Sequence, residues 1–158
     1  MKKQNWKTYV LWILVTEAVG ALSGFLSRCG MLSYNTVIQQ PPLSPPGIVF
    51  PRVWGILYAL MGFGAARIYL SPDAKARGLG LNIYYVQLIV NFFWSLIFFN
   101  AGAYGFALIW LFVLWVLVFW MILTFRKVDP LAAKLQIPYL LWLTFAAYLN
   151  AGVWYLNL

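Results

Sequence analysis

The sequence predicts an all-α integral membrane protein, a five-transmembrane-helix bundle in a single domain spanning 1–158, and three features predict it. Charge is nearly absent: 9% of residues are charged, 64% are hydrophobic, and Glu17, Asp73 and Asp129 are the only acids. Residues 78–125 contain no ionised side chain, whereas a water-soluble domain of this length alternates buried and solvated faces. As one helix, that stretch would be roughly 70 Å long at about 1.5 Å per residue, more than twice a hydrocarbon core of about 30 Å. It must fold back on itself, and the third feature is the place where it can: residues 100–105 read Asn-Ala-Gly-Ala-Tyr-Gly, which is turn chemistry between apolar flanks.

The spans follow in order as 6–27, 47–70, 79–100, 104–126 and 131–156. The first resembles a secretory signal, with Lys2 and Lys3 before an apolar run. That run is long enough to span, however, and Leu26-Ser-Arg-Cys29 puts Arg where a lipoprotein cleavage site wants a small residue. Residues 28–46 contain four prolines with Tyr34, Asn35, Gln39 and Gln40, too polar to cross a membrane and too proline-rich for a helix. A long ordered loop in a compact protein is usually functional. The tight turn at 100–105 and the Val128-Asp-Pro130 link force antiparallel neighbours, with Pro130 suited to a first helical turn.

Five spans would put Lys2, Lys3, Lys7, Arg67, Lys75, Arg77, Arg126, Lys127 and Lys134 on one side, against Arg28 and Arg52 on the other. The positive-inside rule then places the N-terminus in the cytoplasm, with the cell membrane as the location in a bacterium. The net charge of +8 is scattered between hydrophobic segments, which argues against a nucleic-acid partner. With no His and a single Cys, Cys29, a multi-His or thiolate metal site and an intrachain disulfide are excluded. No obligatory cofactor is expected, but a haem or porphyrin can be held without an axial His, by packing and a few hydrogen bonds.

Polar groups in hydrocarbon are costly and therefore informative. Gln87 and Asn91 are four apart and share a helix face, which is expected to point into the bundle. Asn150 and Glu17 are the others. Glu17 has no cationic partner evident in the sequence, leaving a neutral acid or a proton-coupled role. Gly20 and Gly24, Gly62 and Ala66, and Ala147 and Ala151 are small residues at four-residue spacing, which permit close helix approach within the chain or between copies in a homodimer. Nine Trp and ten Tyr exceed what interfacial belts require. Trp6, Trp12, Trp154 and Tyr155 read as anchors, while Trp54, Trp94, Trp110, Trp115, Trp120 and Trp142 lie deeper, where an indole N–H needs a partner. Nothing resembles a nucleophile with its base, paired carboxylates or a phosphate-cradling loop.

Five strings in order resemble the tryptophan-rich sensory protein and translocator protein family (TspO/MBR), also called the peripheral benzodiazepine receptor family. They are Pro45-Pro46-Gly47, Val53-Trp-Gly-Ile-Leu-Tyr-Ala-Leu-Met-Gly62, Asn91-Phe-Phe-Trp-Ser-Leu-Ile-Phe-Phe99, Asp129-Pro-Leu-Ala-Ala-Lys134 and Pro138-Tyr-Leu-Leu-Trp-Leu-Thr-Phe-Ala-Ala-Tyr-Leu-Asn150. The resemblance implies a five-helix bundle with a ligand cavity under the first loop that takes porphyrins such as protoporphyrin IX, haem, and isoquinoline or benzodiazepine ligands. It implies a sensor or regulator, with transport of porphyrins and a plain membrane scaffold as alternatives. Trp54 and Trp142 match the tryptophans linked to light-dependent porphyrin breakdown, and Asn91 matches a ligand-contacting Asn. Phe50, Tyr58, Trp94, Ala146, Ala147 and Asn150 fall on pocket positions. Against transport, the sequence shows no inverted repeat and no broken helix pair. Two departures stand out. The family's loop tryptophan is absent from Gln40-Pro-Pro-Leu43, and no base follows Tyr155, which argues against sterol as a ligand.

Overall fold

In the computed structural model residues 5–158 are described; they are helical, with no strand among them. The helices are α1 Asn5–Leu26, α2 Arg28–Thr36, α3 Val49–Tyr69, α4 Ala74–Ser95, α5 Tyr104–Val128, α6 Pro130–Lys134 and α7 Ile137–Leu156. A π turn, Leu96–Asn100, continues α4. Four segments are long and apolar enough to cross a bilayer: α1, α3, α4 with its π turn, and α5. The expected fifth span falls on α7, which has 20 residues but carries Pro138, Thr144, Asn150 and several Tyr and Trp that dilute its apolarity. Lys2 and Lys3 of the charge count lie outside the described residues.

Three local expectations are corrected. Residues 28–46 are not all loop, because α2 occupies Arg28–Thr36; the helix-breaking prolines all lie beyond it, at 41, 42, 45 and 46. α4 starts at Ala74 rather than 79, capped by Asp73, whose Oδ1 accepts the Ala76 amide at 3.1 Å. The segment expected as one helix over 131–156 is broken between α6 and α7. Pro138 enters the first turn of α7, and its ring excludes the carbonyl four residues back while offering no N–H.

Side-chain partners fix the helix directions. Gly20 lies under the Tyr58 ring and Gly62 against the Ile13 backbone, so α1 and α3 run antiparallel. Thr16 bonds to the Tyr84 hydroxyl, Ser23 Oγ donates to the Phe92 carbonyl at 3.0 Å, and Ser95 Oγ donates to Ser27 Oγ at 2.9 Å. α1 and α4 are therefore parallel. α5 lies antiparallel to α4 through Trp110 Nε1, which donates to the Val90 carbonyl at 2.7 Å. It also lies antiparallel to α7 through Trp115 Nε1, which donates to Thr144 Oγ1 at 3.0 Å. Gly62 shows why a small residue is needed there: a Cβ would stand 2.6 Å from Ile13 Cα and 2.8 Å from the Trp12 carbonyl oxygen, both backbone atoms.

At the other end of α3, Arg67 Nε donates to Asp129 Oδ2 at 2.7 Å. Asp129 also caps α6, its Oδ1 accepting the Leu131 and Ala132 amides at 3.0 and 3.3 Å. Partial burial alone would raise this carboxyl, but the Arg67 guanidinium and the two amides outweigh it and hold it below the usual carboxylate value. The link after α5 is thereby tied to α3 by one side chain with two duties.

Gly62→Ala is expected to lower the apparent melting temperature in detergent, at a cost of about 1–3 kcal/mol, because two backbones must separate. Gly55→Ala, where an added Cβ meets nothing within 4 Å, should leave it unchanged or slightly raised. A carboxyl depressed in the folded state adds stability above its unfolded value, and that contribution is lost as pH falls through the folded one. Asp129→Asn should therefore flatten the acid limb of a melting-temperature profile below roughly pH 4 while lowering the neutral-pH plateau.

Candidate functional site

The half of the bundle next to α2 encloses a partly open cavity of about 410 Å³, within the range of small-molecule sites. α1 supplies Glu17, Gly20, Ala21, Ser23 and Gly24, and α3 supplies Phe50, Pro51, Trp54, Gly55 and Tyr58. α4 and its π turn add Asn91, Trp94, Ser95 and Phe99; α7 adds Trp142 and Ala146. Met31, Tyr34 and Asn35 of α2, with Gly47, close the loop end. The space exists because α1 and α3 touch from Gly62 to Gly20 and then part. Gly24 and Gly55 both face the gap, and a Cβ on either would meet nothing within 4 Å.

A buried hydrogen-bond chain forms the floor. The Tyr58 hydroxyl donates to Asn91 Oδ1 at 2.9 Å, Asn91 Nδ2 donates to the Tyr139 hydroxyl, and that hydroxyl donates to Gln87 Oε1 at 2.9 Å. Gln87 Nε2 ends the chain against Met61 Sδ at 3.7 Å. Helices α3, α4 and α7 thus share one network, and Gln87 and Asn91, two of the polar groups that the sequence placed in hydrocarbon, are satisfied by other helices. Above it the walls are aromatic. Trp54 stacks on Tyr58, with centroids 5.5 Å apart and planes at 29°, and meets the edge of Tyr139 at 6.1 Å. Phe50 meets Trp142 at 5.9 Å and 69°. Trp94 stacks on Phe98 at 5.1 Å, while its Nε1 donates to Asn150 Oδ1 at 3.3 Å. Trp142 Nε1 is buried without a partner among the described residues, an indole donor left over on the cavity's α7 side.

The loop is clasped to α7. The Asn157 side chain accepts the Gln39 amide at 3.1 Å and donates to the Gln39 carbonyl at 2.8 Å, and the Tyr148 hydroxyl donates to the Pro42 carbonyl at 2.8 Å. Tyr34 anchors α2 by packing between Phe98 and Phe99 at 5.5 and 5.3 Å. Burial, with Tyr104 nearby, pushes the Tyr34 hydroxyl up to about 12, so it remains neutral. Leu43, where the family pattern has a loop tryptophan, is 82% exposed with φ +68°. It is not among the residues that line the cavity, and Met31, Tyr34 and Asn35 of α2 close that end instead.

Seven of the residues singled out from the sequence, Phe50, Trp54, Tyr58, Asn91, Trp94, Trp142 and Ala146, lie on this one cavity wall. Ala147 and Asn150 do not. Ala147 packs half-buried against the core, and Asn150 is fully buried, holding Trp94 on one side and donating to the Tyr104 carbonyl at 2.8 Å on the other. Sequence reasoning placed the first helix beside the cavity but named no wall residue on it, and it named neither Tyr34 nor Asn35 of α2. The spacing of Glu17, Gly20, Ala21 and Gly24 along one helix face was the available signal. Among the described residues no cluster of His, Cys, Asp or Glu could hold a metal ion, and no nucleophile meets a base.

The model of the TspO/MBR family matches residues 12–156. A translocator protein from Sus scrofa is 36% identical over 86% of this chain and 84% of its own length. The tryptophan-rich protein TspO of Chlorobaculum tepidum is 34% identical over 95% of this chain and 96% of its own. Protein CrtK of Rhodobacter capsulatus is 37% identical over 76% of each chain.

Proposed function

This chain belongs to the TspO/MBR family, and from that premise we propose that it is a five-span membrane sensor whose cavity binds a flat tetrapyrrole such as protoporphyrin IX. The observation that carries the reading is a cavity of about 410 Å³ whose walls are largely indole, phenyl and phenol rings, closed at one end by a helix of the first loop. Flat rings gain most from such walls, since offset and edge-on aromatic contacts add about 0.5–1.5 kcal/mol to plain burial. A macrocycle wider than this space leaves its propionates at the opening. Arg28 lies at that end of the bundle, its guanidinium 3.9 Å over the Phe25 ring. Ligand occupancy would alter how α2 and α7 hold the loop, and a homodimer or partner in the membrane would read that change.

Trp54 and Trp142 face the same space, which favours a second activity of this site. An indole beside a photoexcited macrocycle can give it an electron, and oxygen then consumes the activated ring. Both readings place α7 across the bilayer, with α2 and the loop outside and the N-terminus in the cytoplasm.

Protoporphyrin IX is expected to quench tryptophan fluorescence of the detergent-purified protein saturably. Gly55→Leu, which fills the cavity without meeting a neighbour near its Cβ, should weaken binding about tenfold or more. Absence of saturable quenching would remove the reading. Under light and oxygen, porphyrin should bleach more slowly with a Trp54→Phe, Trp142→Phe protein than with wild type; equal rates would discard the photochemical activity. Orientation has a built-in reporter, because Cys29 is the chain's one thiol and is exposed on α2. A membrane-impermeant maleimide should label it from outside intact cells, and labelling only after lysis would reverse the assigned topology.

A further inference from the structure

Among the described residues Glu17 is the only carboxyl on the cavity wall, and no cationic side chain lines that wall. It makes neither a hydrogen bond nor an ion pair among the described residues; the single salt bridge there is Arg67 with Asp129. The other polar wall groups are mostly committed: Asn91 to Tyr58 and Tyr139, Ser23 to the Phe92 carbonyl, and Ser95 to Ser27. Glu17 stands one helical turn before Gly20 on the same face, and Gly20 lies directly against the Tyr58 ring. Tyr58 in turn stacks on Trp54. A carboxyl therefore adjoins a stacked aromatic pair, with room kept open by Gly24 and Gly55.

We propose that Glu17 gives this cavity a second class of ligand beside the porphyrin: flat aromatic molecules that carry one protonated amine, the ammonium at the Glu17 carboxylate and the rings against Trp54 and Tyr58. An uncompensated carboxylate inside a low-dielectric bundle is costly, and a counter-charge delivered by the ligand removes that cost. The Tyr58 ring, which lies against Gly20 one turn from Glu17, attracts the same ammonium through its quadrupole. The two effects act on one atom, so an amine gains from the cavity what a neutral isostere of equal size does not. This inference rests on the reading of the cavity as an aromatic ligand site, and it adds a ligand class recognised by its charge.

The test uses the full chain in nanodiscs of neutral phosphatidylcholine, titrated by tryptophan fluorescence with 9-(aminomethyl)anthracene and with 9-ethylanthracene. The wild type should prefer the amine by about tenfold or more. Glu17→Gln should bring the two affinities together, and Glu17→Asp, which keeps the charge, should retain part of the preference. Equal affinities in the wild type, or a preference that survives Glu17→Gln, overturn the inference. If protoporphyrin IX still binds in that case, the cavity reading stands. If neither anthracene nor the porphyrin binds, both fall together.

Discussion

Inside a bilayer a polar group that loses its partner finds no water to replace it, and the bundle depends on how that demand is met at Asn91. One amide accepts from Tyr58 of α3 and donates to Tyr139 of α7, and Tyr139 passes the chain back to Gln87 on α4. Three helices are therefore held at one depth by groups that cannot be satisfied separately. The cavity begins where this network ends. Its floor is rigid because the floor is a hydrogen-bonded unit, and its depth is set by which turn of each helix carries the polar residue.

Close packing and open space are divided between glycines of one helix pair. Gly20 and Gly62 admit a ring and a backbone, bringing α1 against α3, whereas Gly24 and Gly55 face nothing. The same residue type closes one half of the interface and opens the other. What decides between them is the size of the opposing group. Tyr58 reaches across to Gly20 and props the helices at that level, and no comparable side chain reaches Gly24. The π turn after α4 serves the open end, since Gly30 of α2 rests against the Phe99 carbonyl and Asn100 Nδ2 donates to the Leu26 carbonyl at 2.8 Å. The lid is seated on the irregular turn.

The membrane character was legible because it is a property of composition and length: an ion-free run longer than a bilayer must turn, and Asn-Ala-Gly-Ala-Tyr-Gly was the place. In the structure Gly102 takes φ +61° there, as a tight turn requires. The ends of elements were less legible. The Asp73 cap and the break at Gln136 depend on single side chains and on Pro138, and α2 was hidden by prolines that lie beyond it. Trp54, Asn91 and Trp142 were found through family motifs, and Gln87 with Asn91 through helical spacing. Asn150 shows where such reasoning stops. Its spacing puts it on the inner face of α7, but whether an inner-face residue touches empty space or a neighbouring indole depends on the rotamer of Trp94.

By itself, then, the sequence determined the medium the chain occupies and that the Gln87 and Asn91 face of α4 looks inward, because these follow from hydrophobicity and a period of 3.6 residues. Tertiary structure alone decided that α1 and α3 part beyond Gly20, that α2 covers the opening, and that Glu17 stands unpaired on the wall that Tyr58 and Trp54 also line. Each of these is a relation between residues far apart in the chain. Such relations are set by which side chains collide and which do not, and no local pattern records that.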